Sequence, residues 1–272
     1  MTNKALLTIL ALSVCGMLLA GCDLIDYHPY DTKIDGAHAI NRSNTLLIEQ
    51  RLDGRSEITF AVISDTQRWY DETEKAVKSI NARNDIDFVI HCGDISDFGA
   101  TKEFTIQRDI LQKLRMPYVV LLGNHDCLGT GTDSYRYIFG NTNFSFNAGD
   151  THFVCLNTNA IEYDYSTPIP DFAFIRTDKQ GLPATVTRSI AVMHAMPHSD
   201  QFNNNVADLF EQEITGYPSL CFCLCGHGHK RQVDDVFGDG MYYYECGSAK
   251  SREYLVFTLN KDGGYSHEVV QY

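Results

Sequence analysis

The chain has 272 residues, 44% hydrophobic and 21% charged, with 20 glycines and 7 prolines. That balance suits one large globular domain and excludes a disordered, collagenous or disulfide-dense small protein. Lys and Arg number 22 against 35 Asp and Glu, a formal charge of −13. Nucleic-acid binding rests mainly on basic contacts to phosphate, so nucleic acid is a poor partner for an acidic chain without a basic block. A bound cation cluster reverses the sign locally, which keeps small phosphorylated substrates open.

Residues 1–21 read as a secretory signal peptide. Lys4 supplies a positive start and the run from Ala5 to Ala20 is almost wholly apolar, too short for a stop-transfer helix. The run ends Leu19-Ala20-Gly21-Cys22, which resembles the bacterial lipoprotein box. The resemblance implies cleavage before Cys22, lipidation of that cysteine and a membrane-anchored place in the cell envelope, on the periplasmic or surface side. Residues 22–55 show no clear period and are expected to form a tether or irregular segment, with the domain occupying 56–272. Seven cysteines follow, Cys92, Cys127, Cys155, Cys221, Cys223, Cys225 and Cys246, an odd number that argues against a complete disulfide framework. Cys221, Cys223 and Cys225 alternate, so on a strand they share one face, where they suit buried apolar packing better than chelation.

From Ile58 onward strand and helix signals alternate. Ile58–Ser64 suits a buried strand. Asp71 and Glu74 have the spacing of a capping box, and Ala76, Val77 and Ile80 line one helical face after it. Ile86–His91 predicts a second strand. Phe104, Ile106, Ile110, Leu111 and Leu114 predict a second helix ending before Pro117, and Tyr118–Leu122 a third strand. This order implies a parallel sheet. Further strands are expected at 143–146, 151–157, 189–193, 220–224, 241–245 and 254–259, with one helix at 201–213. The run Met241–Glu245 reads as two buried or half-buried aromatics with one outward.

The first three strands run into polar clusters: Ser64-Asp65-Thr66-Gln67, Gly93-Asp94-Ile95-Ser96-Asp97 and Gly123-Asn124-His125-Asp126. Asp65, Asp94 and Asn124 are 29 and 30 positions apart, close to one strand–helix–strand unit. That spacing brings them to the carboxyl edge of a parallel sheet, where such sheets bind ligands. His194, and His227 with His229, also follow predicted strands. A lone histidine at a strand end is commonly a hydrogen-bonded residue, but several clusters at several strand ends favour a metal site.

The ordered set of Gly-Asp-Ile-Ser-Asp, Gly-Asn-His-Asp, a solitary strand-end histidine and Gly-His-Gly-His resembles the calcineurin-like metallophosphoesterases. The stretch from Tyr135 to Thr158 is similar to the same family, so the resemblance runs from about Ile58 to the C-terminus. It implies an α/β fold, a four-layer α/β/β/α sandwich of two mixed sheets with a di-metal site at strand C-terminal ends. Two divalent metal ions, Mn, Fe or Zn, would be held. Asp65, Gln67, Asp94 and His229 would ligate one, and Asp94, Asn124, His194 and His227 the other, with Asp94 bridging. Carboxylate, amide oxygen and imidazole suit those metals. The commonest first motif is Asp-x-His; Gln67 departs from it, supplying a harder, weaker donor that leaves metal and substrate open.

The implied reaction is hydrolysis of a phosphate ester by an activated hydroxide. His125 is the candidate to protonate the leaving oxygen, with Asp126 placed to orient its ring. Asp97 reads as a hydrogen-bonding neighbour. Arg68, Trp69 and Tyr70 are candidates for the substrate mouth. The resemblance implies a phosphorylated small molecule or nucleotide-type compound as substrate. A nucleotide-type diphosphatase or phosphodiesterase is the alternative enzyme, and a non-catalytic lipoprotein binding a phosphorylated ligand the alternative outside enzymes.

Overall fold

The computed structural model describes residues 28–272 apart from Thr32 and Tyr165. The signal-peptide reading and Cys22 lie outside the described residues. Among the described residues no helix is long and apolar enough to cross a membrane.

Two mixed sheets face each other. The first joins β1 (Ile58–Ile63), β2 (Phe88–His91), β3 (Tyr118–Val120), β10 (Glu253–Leu259) and β11 (Tyr265–Gln271) in the order β11-β10-β1-β2-β3. The second joins β4 (Phe144–Ala148), β5 (Thr151–Leu156), β6 (Arg188–Met193), β7 (Leu220–Cys225), β8 (Gln232–Asp235) and β9 (Tyr242–Glu245) in the order β4-β5-β6-β7-β9-β8. Strands β1, β2 and β3 are parallel, as are β5, β6, β7 and β9. Helices α2 (Tyr70–Asn81), α3 (Thr101–Leu111) and α4 (Gly131–Ile138) accompany the first sheet, and α5 (Phe172–Gln180) and α6 (Ala207–Thr215) the second. This is the expected four-layer α/β/β/α sandwich.

The inner faces meet in a core that includes Phe60, Phe88, Phe146, Phe153, Phe222 and Phe257. Phe60 stacks on Phe88 at 5.2 Å between ring centroids and meets Phe153 edge-on at 5.3 Å, arrangements favoured by the ring quadrupole. The outer faces pack against helices. Val77, Ile80, Phe104 and Leu111 serve the first sheet, and Phe210 and Ile214 the second.

The expected tether is corrected in part. Residues 40–52 form helix α1 (Ile40–Leu52), which packs against β3 and β4, edge strands of the two sheets. Its side chains imitate a neighbouring strand. Asn41 donates to Val120 O at 2.8 Å and accepts from Val120 N at 2.9 Å, and Asn44 donates to Tyr118 O at 2.7 Å. Glu49 accepts from Asn147 N at 3.0 Å. Open edges invite pairing with other chains, and α1 closes both. Its polar inner side carries no clean apolar stripe, which is why the sequence showed no period there.

Other differences have local causes. Helix α2 starts at Tyr70 with no side-chain cap, so the Asp71–Glu74 box does not form; instead the Glu103 carboxylate accepts from Ala100 N at 3.1 Å and Phe98 N at 3.0 Å to start α3. The helix expected at 201–213 begins later, at Ala207, after a 3-10 turn at Asn204–Val206. A register shift between Ser189 and Ile190 interrupts the β6–β7 pairing. Cys221 therefore packs toward the inter-sheet core, while Cys223 and Cys225 face α6. Tyr243 and Tyr244 are buried and Tyr242 is exposed, as expected, and the Tyr243 hydroxyl donates to Glu211. Strands β8 and β11 and helices α4 and α5 were not anticipated. The two strands are largely exposed and α5 buries only Ile175, so apolar periodicity is faint.

Replacing Asn41 by Leu keeps the branched outline of the side chain but strips both bonds to β3. The Tyr135 hydroxyl still serves Val120 O at 2.7 Å, leaving the Val120 amide orphaned. Unfolding free energy, measured by urea denaturation, should fall by about 1–3 kcal/mol; an unchanged midpoint contradicts the edge-covering role.

Candidate active site

The parallel register sets the site. Ile63 is level with His91 and His91 with Val120, so the three clusters leave the sheet side by side. Backbone bonds continue past the strands: Asp65 N donates to Gly93 O at 3.0 Å, and Thr66 N and Gln67 N to Asp94 O at 2.9 and 3.0 Å. Gly93 has φ +106°, and a Cβ there would meet the His194 ring and Gly123 backbone at 2.8 Å. At Gly123 a Cβ would lie 2.1 Å from the Asp94 amide and carboxylate. Only glycine allows these loops to approach. Asp65, Asp94, His227 and His229 themselves have positive φ, between 52° and 77°, strain of the kind that collects at functional sites.

All seven predicted donors come together. Donor atoms of Asp65, Asp94 and His194, all fully buried, lie within 4.8 Å of one another. His194 Nε2 is 3.0 Å from Asn124 Oδ1 and 3.4 Å from Asp94 Oδ1. Asn124 Oδ1 is 3.0 Å from His227 Nδ1. Gln67 Nε2 donates to Asp94 Oδ2 at 3.2 Å, and His229 Nε2 stands 3.2 Å from Asp65 Oδ1. The sheets are tied across the site by His227 N, which donates to Asp65 Oδ2 at 3.1 Å.

The chemistry of this donor set fits cations. His194 Nδ1 faces Cys92 O at 2.8 Å and must carry hydrogen there, so Nε2 is the atom aimed at the two further oxygens, ready to hold a proton or to offer its lone pair to a cation. His227 Nε2 is 2.6 Å from Asp200 Oδ1, which likewise leaves Nδ1 as the inward lone pair. Gln67 Oε1 is a buried acceptor without a hydrogen-bond partner, and Asp65 Oδ1 makes no well-formed hydrogen bond, with His229 Nε2 at 3.2 Å as its nearest positive neighbour. Converging, unmatched lone pairs are costly in a dry site unless a positive charge sits among them. A proton on His194 is the other positive charge the site can take, and the carboxylates favour it. Burial opposes charge on His194, but Asp94 and Asp65 outweigh it and raise the imidazole to about 10. Burial likewise opposes charge on Asp65, while His229 and His194 hold its carboxyl below the ordinary range.

The expected Asp126–His125 pairing is corrected. Asp126 is fully buried and accepts from Gly123 N, Asp94 N and Ser96 N at 2.9, 3.0 and 2.8 Å, from Ile95 N at 3.1 Å and from Ser96 Oγ at 2.8 Å. Burial and Asp94 push its carboxyl up to about 7, against the pull of those donors. Asp126 pins the Asp94 loop to the Asn124 loop. His125 is held elsewhere: its Nδ1 lies 2.8 Å from Asp97 O and 3.7 Å from Asp97 Oδ1, and Asp97 Oδ1 pairs with Arg68. His91 joins β2 to the first motif, accepting from Gly93 N at 3.1 Å and reaching Thr66 Oγ1 at 2.9 Å; burial lowers its pKa to about 4 and keeps the ring neutral.

The remaining histidines stand apart. His198 is exposed beside Phe237, and His152 is bonded to Asn147 and Asp178. Sequence reasoning missed Asp200 and Glu162. Asp200 reaches His227 from a surface loop, and Glu162 is half-buried close enough to His125 and Asp94 to feel both charges. Asp200 is a single acid in a loop and Glu162 one in the 3-10 turn Ile161–Tyr163, with no motif to mark either.

The family model described as calcineurin-like phosphoesterase matches residues 58–231. Protein YvnB of Bacillus subtilis is 24% identical over 230 residues, covering 74% of this chain. The chain spans 18% of that relative's length. The fold is similar to a dimetal phosphatase from Danio rerio, with TM-score 0.62 and 14% identity over 79% of this chain and 99% of that one. It is also similar to purple acid phosphatase PPD1 from yellow lupin, with TM-score 0.60 and 13% identity over 80% of this chain and 52% of that one.

Asp126→Ala should leave four buried amides without an acceptor and lower the unfolding free energy by about 3 kcal/mol or more. His125→Ala, whose side chain is 34% exposed, should cost under about 1 kcal/mol. Chemical denaturation of the two variants compares them directly; equal losses contradict the pinning role.

Proposed function

This chain belongs to the calcineurin-like phosphoesterase family, and from that premise we propose that it hydrolyses a phosphate ester at the cluster built on Asp65 and Asp94. Asp65, Gln67, Asp94 and His229 hold one divalent cation, and Asp94, Asn124, His194 and His227 the second. The observation that carries the reading is the convergence of the Asp65, Asp94 and His194 donor atoms within 4.8 Å in a buried site. Bound there, Mn, Fe or Zn ions supply an acidified water and offset the charge of the phosphoryl oxygens.

The protein's own residues do the rest. The Asp94 carboxylate is fixed from outside by Gln67 and by the amide of His125, which donates to Oδ1 at 3.0 Å. Asp200 orients His227, and the Cys92 carbonyl orients His194. His125, with Nδ1 engaged by Asp97 O, presents Nε2 as the proton donor to the departing oxygen. The loops from β6 and β7 close over the same point from the second sheet. The Leu19–Cys22 motif supports export and lipid anchoring at the bacterial cell envelope.

Purified protein supplied with Mn²⁺, Fe²⁺ or Zn²⁺ should hydrolyse p-nitrophenyl phosphate and lose that activity on chelation. Asp94→Asn should lower kcat/KM by about 10³-fold while thermal unfolding stays cooperative. Turnover that survives both treatments overturns the assignment, and a phosphorylated ligand bound without turnover favours the non-catalytic reading.

A further inference from the structure

One flank of the site carries cations that the proposed hydrolysis does not use. Lys250 follows Ala249, whose amide donates to Asp65 O at 3.2 Å. Its ammonium lies 5.7 Å from the centroid of the Trp69 ring, and Trp69 stands two residues beyond Gln67. Lys230 follows His229, whose carbonyl accepts from Ser248 N at 3.4 Å. The two lysines therefore sit on loops that pack together beside Asp65.

Both lysines are exposed, and among the described residues neither is in an ion pair. Their neighbours are committed: Arg231 to Glu253 at 3.2 Å, Arg252 to Glu72 at 3.1 Å and Arg68 to Asp97. The opposite flank is acidic, with Asp200 beside His227 and Glu162 near His125. In a chain of formal charge −13, unpaired lysines on the loops that adjoin Asp65 and His229 attract an anion to that side of the reacting centre. An aromatic face beneath one of them gives that charge a fixed resting place.

We propose that Lys250, lying against Trp69 with Lys230 on the adjoining loop, forms a subsite for a second phosphate carried by the leaving group. The site then takes a terminal phosphoanhydride, such as a nucleoside diphosphate, in preference to a simple monoester, an inference that rests on the hydrolytic reading above. Water adds to the terminal phosphorus and the bridging P–O bond breaks. Its electron pair stays with the departing oxygen, which takes up the proton that the water gives up. The products are inorganic phosphate and a leaving group that keeps its own phosphate.

Trp69 is the chain's single tryptophan, so its emission reports on this subsite directly. With the full chain loaded with metal, methylenediphosphonate should change Trp69 emission saturably and methylphosphonate should not. Lys250→Ala should weaken that response about tenfold and lower the ratio of kcat/KM for ADP to that for p-nitrophenyl phosphate by about tenfold. Lys250→Arg should keep both within about threefold. If p-nitrophenyl phosphate is hydrolysed while emission and ratio are the same in Lys250→Ala as in the parent, the subsite is overturned and the hydrolytic reading stands. If the parent hydrolyses neither ester with any of the metals, the hydrolytic reading falls and the subsite proposal with it.

Discussion

The structure depends on a concentration of negative charge where water does not reach. Asp65 and Asp94 are both fully buried, and two carboxylates in a dry site repel each other and lose their hydration. His194 and His229 offset part of that cost from opposite sides, at 3.4 Å from Asp94 and 3.2 Å from Asp65. The poorly matched oxygens of Asp65 and Gln67 show that the protein's own groups do not complete the compensation. Divalent cations held as proposed would complete it.

Holding such a cluster together falls to groups that touch no substrate. Asp126 collects the amides of two loops, His91 links the end of β2 to Thr66, and the glycines at 93 and 123 let the loops approach within a distance no side chain permits. Positive φ at Asp65, Asp94, His227 and His229 shows that the backbone bends to aim these donors. The sandwich core supplies the rigidity that sustains the strain. The polarity of the mouth, basic beside Asp65 and acidic beside His227, is then set by loops rather than strands.

The strand ends were legible because chemistry and periodicity coincide there. Apolar runs such as Ile58–Ile63 and Phe88–His91 stop at aspartates whose spacing equals one strand–helix–strand unit, so the placing of Asp65, Asp94 and Asn124 followed from counting. Side chains that act through a neighbour were not legible. Asp126 follows His125 in sequence and invites pairing with it, yet the short 3-10 turn at His125–Cys127 sends the carboxylate to the Asp94 loop and gives His125 to Asp97. Helix α1 escaped notice because asparagine side chains hold it to a strand edge, an interaction with no hydrophobic period. Asp200 and Lys250 act from loops whose geometry only the tertiary structure supplies.

Metal content tests the central claim most directly. After incubation with Mn²⁺ or Zn²⁺ and removal of free ions by gel filtration, atomic emission should find two divalent ions per chain in the parent protein. It should find a clear loss in Asp94→Asn, since the proposed arrangement has that carboxylate shared between the ions. A parent chain that retains no ion, or a variant that keeps both, contradicts the account.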